Sequence, residues 1–140
     1  MSEKIDIVKQ WIEKADHDLG TGQVTHLYLP KYRDTIAFHC QQAAEKYLKG
    51  FLLFHDISFK RQHSLNYLLG LLSQKIEITN ELYDNASELE DFAVEIRYPD
   101  TSVELSEDEI QHAFKIVKLI RAFVLLQMNL SIDYEDVKKE

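Results

Sequence analysis

Apolar residues recur at helical spacing along most of the chain. Between residue 3 and about residue 20 the spacing predicts a first helix, whose apolar face consists of Ile5, Val8, Trp11, Ile12, Ala15 and Leu19. Gly20 and Gly22 follow, and each weakens a helix by about 1 kcal/mol relative to alanine. They either end this helix or bend its last turn. A second helix is predicted from near Pro30, because proline is favoured at a first helical position, to about Phe54.

Three further helices are predicted after a loop over residues 55–62. Leucines at 65, 68, 69 and 72 indicate a short helix over about 64–75. The next helix covers about 79–97; Thr79 or Asn80 caps its start, and Pro99 closes the segment. A capping-box signature over 106–109 opens the fifth helix, which runs to about Leu130.

The pattern therefore predicts an all-α protein, an up-and-down bundle of four long helices and one short helix. The chain holds only 4 Gly and 2 Pro, and no alternation of apolar and polar residues predicts a strand. At 140 residues one domain is expected, which we assign to residues 1–130. Residues 131–140 are predicted to be a polar, frayed tail.

The fifth helix is unusual in its last third. Residues 122–126 are apolar nearly all round the helix, although Arg121 precedes them. Burial on more than one side is implied, and a second copy of the chain is a candidate for the extra cover. A homodimer is therefore expected.

Cysteine use and hydropathy favour a cytoplasmic protein. The single cysteine, Cys40, excludes an intrachain disulfide and lies on an apolar helical face, where an inert buried thiol is expected. No apolar run reaches the roughly 20 residues needed to cross a bilayer, so no membrane partner is expected.

The net charge of −8 is unevenly distributed. Residues 77–110 hold 12 Asp and Glu against one Arg, whereas residues 30–63 hold 6 Lys and Arg against 3 acids. An acidic chain argues against broad nucleic-acid binding, and DNA is not expected as a partner. The basic middle leaves room for a local anion or RNA site, although a normal solvated surface would account for the same charges.

His63 is the strongest candidate for a ligand contact within that basic region. It precedes the short third helix and follows Lys60 and Arg61, so a bound anion would meet helix N–H donors and cationic side chains. Lys46 and Lys49 on the second helix are candidates for the same site. The structural alternatives are that His63 caps the third helix and that the two lysines are solvated or pair with the acidic fourth helix.

No cofactor or metal site is predicted. His39 and Cys40 are adjacent and point about 100° apart on a helix, and no His or Cys pair has zinc-site spacing. No P-loop or dinucleotide fingerprint occurs.

Three sequence motifs together resemble the HEPN family of small helical domains. They are the run from Gln41 to Lys49, His63-Ser64-Leu65, and Arg97-Tyr98-Pro99-Asp100. Their order and spacing cover nearly the whole chain. The resemblance implies a homodimeric helical bundle that is either a metal-independent endoribonuclease or a toxin paired with a minimal nucleotidyltransferase.

Active members of that family carry an arginine followed after four to six residues by a histidine. Arg97 stands at the arginine position, but the histidine positions hold Ser102, Val103 and Glu104. Arg33 and His39 have the required separation, but they lie at the start of helix two, so we interpret them as a chance match.

Three hypotheses remain. The first is a non-catalytic or degenerate HEPN module that binds nucleotide, RNA or a nucleotidyltransferase in a toxin–antitoxin-like system; its ligand contacts would include Arg97, Tyr98 and Asp100. The second is a ribonuclease in which Arg97 works with Tyr98, Asp100, or His63 from a second copy. The third is an interaction domain without a small ligand. The missing histidine favours the first.

Overall fold

The computed structural model describes residues 2–95 and 104–139, and in this part of the chain it contains five helices and no strand. They are α1 (Ser2–Tyr28), α2 (Arg33–Phe54), α3 (Leu65–Leu72), α4 (Asn80–Glu95) and α5 (Glu107–Met128). The all-α bundle of four long helices and one short helix is confirmed. None of the described helices is long and apolar enough to cross a membrane.

Helix α2 is the centre of the bundle and packs against all four other helices. From Cys40 to Leu52 nearly every side chain is buried. Ala43 and Ala44 are fully buried, as expected of small residues at a close helix contact. A Cβ atom on Gly50 would lie 3.0 Å from the Cβ of Trp11, so this glycine also lets α1 approach α2 closely.

Helix α1 continues well past the point at which its glycines might have ended it. Gly22 is buried, and a Cβ atom there would lie 3.4 Å from His39 and 3.5 Å from the Phe114 ring. The glycine thus lets α1 sit between α2 and α5. Packing outweighs the helix penalty of about 1 kcal/mol per glycine, and the helix ends only at Tyr28.

The other helix ends follow local capping chemistry. Ser106 and Glu109 form the predicted capping box, with bonds of 3.1 and 2.9 Å. Thr79 accepts the Leu82 N–H at 3.2 Å and begins α4. Helix α2 starts at Arg33 and not near Pro30, because residues 29–32 close a turn in which the Tyr32 N–H bonds to the Leu29 carbonyl.

The prediction that the C-terminal tail is frayed was wrong. Residues 131–139 form neither helix nor strand, and they lie in the groove between α1 and α5. The Tyr134 hydroxyl donates to Gln23 on α1, and Arg121 on α5 donates to the Ile132 carbonyl. Side-chain partners on the two helices, which a polar sequence alone does not reveal, hold the segment in place.

Candidate functional site

A buried carboxylate, Glu45, organises the polar centre of α2. Its side chain accepts a bond from Lys49 Nζ at 3.1 Å, one turn further along the helix. On its other oxygen it meets His63 Nδ1 at 2.9 Å. Gln41, one turn earlier, donates to the His63 carbonyl at 2.9 Å. The structure therefore brings His63 and Lys49 together, as predicted, but around a carboxylate of the same chain.

Glu45 and Lys49 are both buried, so each charge depends on its partner within the cluster. Glu45 is 3% exposed and Lys49 is 8% exposed, while His63 lies at the surface. Lys49 also lies 5.6 Å from the centre of the Phe59 ring. A buried ammonium is retained only when a carboxylate compensates for its lost hydration, and Glu45 provides that compensation.

Lys46 lies on another side of α2 and is also paired. Its ammonium donates to Asp18 of α1, and His39 Nδ1 lies 3.6 Å from the other oxygen of that carboxylate. Asp18 and Lys46 are both less than one-third exposed. Lys46 thus has a different carboxylate partner from Lys49 and His63, and its predicted place in a ligand site stays a prediction. The alternative that Lys46 pairs with α4 is not met.

The N-terminus of α3 is occupied by side chains of the chain itself. Ser64 accepts the Tyr67 N–H at 3.2 Å, and Glu90 of α4 accepts the Leu65 N–H. Ser64, not His63, is therefore the cap of α3. The predicted anion site depended on these N–H donors, and the acidic helix α4 supplies the negative charge instead.

Lys60 and Arg61 remain at the surface beside this helix end. Both are exposed, and among the described residues neither pairs with a carboxylate. The Lys60 backbone N–H donates to the Tyr67 hydroxyl at 2.9 Å, which fixes the loop in front of α3. Of the predicted ligand contacts in the described residues, these two are the cations still open to a ligand.

Arg97, Tyr98 and Asp100 lie outside the described residues, so their predicted roles stay predictions. Arg33 and His39, which match the motif spacing by chance, each have a structural partner. Arg33 donates to the Leu105 carbonyl at 2.8 Å and anchors the approach to α5. His39 faces Asp18. The two side chains thus have separate partners.

A second polar network, missed by the sequence reasoning, joins α1, α2 and α5. Asp16 accepts two bonds from Arg121, at 2.8 and 3.1 Å, and one from the Tyr47 hydroxyl. Burial and the Asp16 carboxylate raise the pKa of Tyr47. Burial by itself would lower the pKa of Arg121, but bonding to Asp16 raises it overall. Both groups keep their ordinary charge at neutral pH, so this network is a structural clamp.

The signal for this clamp was present in the sequence as Arg121, the one charged residue beside the apolar end of α5. Its partner is 105 positions away along the chain, beyond the reach of spacing rules.

The described residues favour neither a metal site nor a reactive thiol at Cys40. In this part of the chain no three His, Cys, Asp or Glu side chains are placed to hold a metal ion. Cys40 is fully buried, and burial raises its thiol pKa, which disfavours the reactive thiolate.

Comparison with known proteins places this arrangement in a family. No curated protein matches the chain. Two solved structures do: TT1696 from Thermus thermophilus, with a TM-score of 0.75, and ST0689, an archaeal HEPN homologue, with a TM-score of 0.68. Each is 28% identical, and each match covers 86% of this chain and 97% of the other. The HEPN domain family matches residues 8–129. The chain belongs to the HEPN family.

Proposed function

We propose that this chain is a non-catalytic HEPN module that self-associates as a homodimer and binds a partner. The favoured partner is a minimal nucleotidyltransferase, in a toxin–antitoxin-like system; a nucleotide or RNA is the second candidate ligand. The partner class comes from the family resemblance. The non-catalytic character comes from the site and from the sequence after Arg97.

The observation that carries the proposal is the pairing of the candidate cations. Lys46 bonds to Asp18, and Lys49 and His63 both bond to Glu45. A phosphate-cleaving site needs cations whose donors can turn to the scissile phosphate, and a group that exchanges a proton near neutral pH. These three side chains already have carboxylate partners within the chain.

Magnitudes favour the structural role of Lys49. Removing one member of a buried ion pair costs about 3–5 kcal/mol, because the other charge is left unpaired. A hydrogen bond between charged groups contributes about 1.5–3 kcal/mol. Turning Lys49 from Glu45 to a phosphate would therefore cost more than the new contact returns.

Self-association is supported by an apolar strip on α5. Leu119, Ala122 and Leu126 follow each other at spacings of three and four and share one exposed face. Leu126 is 78% exposed. We define these three residues as the α5 strip and propose that it lies in the dimer interface.

The catalytic part of the proposal is tested by RNA cleavage. The purified chain is incubated with single-stranded and structured RNA in the presence of EDTA, beside the Arg97→Ala variant. We expect no difference in the RNA between the two proteins. Metal-independent cleavage that is lost in Arg97→Ala would overturn the proposal and establish the ribonuclease alternative.

The dimer is tested separately by light scattering at micromolar concentration. We expect a dimer that Leu126→Lys weakens at least tenfold, with Gln74→Leu, an exposed position after α3, as the control. A monomeric wild-type chain would contradict self-association.

The partner is tested by co-expression of this chain with a minimal nucleotidyltransferase. We expect the two proteins to co-purify. Co-purification in the presence of nuclease, with no thermal shift on adding nucleotide, favours the protein partner over nucleotide or RNA.

A further inference from the structure

The groove between α1 and α5 holds the tail through specific side-chain contacts. Ile132, Tyr134 and Val137 are half-buried, and the remaining residues of the segment 131–139 are exposed. Asp136 is exposed, but its carboxylate bonds to both walls of the groove, to Gln23 on α1 and to Lys118 on α5.

Gln23 on α1 makes three hydrogen bonds with the tail. Its side-chain oxygen accepts the Tyr134 hydroxyl at 2.6 Å and the Val137 N–H at 3.1 Å. Its amide nitrogen donates to Asp136 at 2.9 Å. Gln23 is 9% exposed, and all three of these partners come from the tail. One amide thus recognises a tyrosine, an aspartate and the backbone next to it.

The α5 wall adds positive charge. Lys118 donates to Asp136 at 2.8 Å. Arg121 donates to the Ile132 carbonyl at 2.9 Å, and its guanidinium lies 5.4 Å from the centre of the Tyr134 ring. Asp136 is the acidic residue that the tail places against this wall, and its charge is complementary to that of Lys118.

Gly20 opens the floor of the groove. A Cβ atom there would lie 3.6 Å from the Tyr134 hydroxyl and 3.9 Å from Val137. Any longer side chain would project into the space that the tail occupies. The groove residues Gly20, Gln23, Lys118 and Arg121 lie within residues 8–129, the part of the chain that matches the family model, and the tail lies beyond it.

We propose that the α1–α5 groove is a docking site for a short segment of a partner protein, and that the tail fills it in cis until such a segment displaces it. The segment has a tyrosine followed two residues later by an aspartate and then by an aliphatic residue. The aspartate matches Lys118. The tail is thus a built-in competitor for this site.

The inference rests on the proposed function only in expecting a protein partner. Cleavage of RNA by the chain would overturn the proposed function and leave the groove and its specificity untouched. The test below uses the full chain and a synthetic peptide alone.

The test releases the tail in the full chain and offers its sequence in trans. The double variant Tyr134→Ala, Asp136→Ala removes the tail's side-chain bonds to Gln23 and Lys118 without changing a helix residue, and leaves only the Val137 N–H as a tail contact of Gln23. A fluorescent peptide with the sequence of residues 131–139 is titrated against both proteins, and binding is followed by anisotropy. We expect at least tenfold tighter binding to the released variant, because an attached tail competes at an effective concentration in the millimolar range.

Two controls establish which contacts recognise the peptide. Gln23→Ala in the released variant is expected to weaken peptide binding at least tenfold, whereas Gln74→Ala, an exposed glutamine outside the groove, leaves it unchanged. A peptide with phenylalanine for Tyr134 and asparagine for Asp136 is expected to bind at least tenfold more weakly. Helical circular dichroism and hydrogen exchange at the Val137 amide verify that the variant is folded and its tail released.

Three results would overturn the proposal. One is a folded, released variant that does not bind the peptide. Another is binding that Gln23→Ala leaves unchanged. The third is a wild-type dimer that becomes monomeric in the released variant, because the groove would then hold the tail of a second copy instead of a partner's segment.

Discussion

The Glu45 cluster and the Gln23 cluster are both built around a buried polar side chain on a long helix, but they differ in where the partners come from. Glu45 is paired by Lys49 on its own helix and by His63 just before α3. Gln23 bonds to residues of the tail, more than 110 positions away along the chain. The first cluster is completed within the family-matched region, and the second by a segment outside it.

The difference in charge decides what each cluster can do. Opening the Glu45 cluster would leave an ion without its partner in a low-dielectric interior, which costs several kcal/mol. Opening the Gln23 cluster exposes a neutral amide to water, which replaces its hydrogen bonds at about 1 kcal/mol each. A buried ion pair therefore fixes structure, whereas a neutral amide can exchange one peptide for another.

The largest effect is expected from breaking the Glu45 ion pair. Lys49→Met should lower the free energy of unfolding by about 3–5 kcal/mol, because the Glu45 carboxylate stays buried with only His63 to compensate. Urea denaturation measures the loss. The double variant Glu45→Gln, Lys49→Met should recover more than half of it, since no buried charge remains. A loss below about 1 kcal/mol in Lys49→Met would show that the pair is not needed to hold α2 in place.

The Asp16 clamp should come next in size. Arg121→Met removes both bonds to Asp16, and we expect a loss of about 2–3 kcal/mol on urea denaturation. The change also removes the bond to the Ile132 carbonyl, so the start of the tail should exchange its amide hydrogens faster. Lys115→Met, at an exposed position of α5, is the matched control and should change stability by less than about 0.5 kcal/mol. Equal effects of the two variants would contradict the clamp.

The Gln23 cluster should give a local effect. Gln23→Ala should lower global stability by about 1 kcal/mol or less, while the Val137 amide loses its acceptor and exchanges at least tenfold faster. Hydrogen exchange resolved along the chain measures this, with core amides of α2 as the internal reference. Faster exchange throughout the bundle would mean that the tail stabilises the whole fold and is not an exchangeable segment.

The smallest effect is the pH dependence of the tail. Bonding to Lys118 and Gln23 lowers the pKa of Asp136 below its ordinary value of 3.8. A lowered pKa in the folded state means that the contribution is present above the ordinary value and is lost as the pH falls through the lowered one. The protection of the tail amides from hydrogen exchange should therefore weaken as the pH falls below about 4. The loss should be less than about 1 kcal/mol, because Lys118 and Asp136 are well exposed.

Exchange at the Val137 amide, followed through that pH range and corrected for intrinsic rates, reports this loss. Asp136→Asn should abolish the pH dependence. A variant that keeps the wild-type profile would assign the effect to another group.

Periodicity in the sequence identified all five helices, since each carries an apolar stripe long enough to be recognised. The capping box at Ser106 and the cap at Thr79 were also predictable, because they involve residues three positions apart. The start of α2 and the end of α1 were not. There, a turn at Pro30 and the packing of Gly22 against His39 and Phe114 outweigh local preference.

The basic region of the sequence indicated Lys46, Lys49 and His63 as ligand contacts, but not their partners within the chain. The structure places His63 and Lys49 together around Glu45. The carboxylate partners of these three residues include Asp18, 28 positions from Lys46 along the chain. Glu90 reaches the start of α3 from another helix. A spacing rule recognises a cation, but it cannot show which acid neutralises it.

By itself the sequence determined the fold class and the helix faces, because helical period, caps and apolar stripes are local properties of the chain. The pairing of the cations, the Asp16 clamp and the seating of the tail against Gln23 were decided only by the tertiary structure. Each of these joins side chains from distant segments, and electrostatic or hydrogen-bond energy depends on distance in space and on burial, which are set when the helices pack.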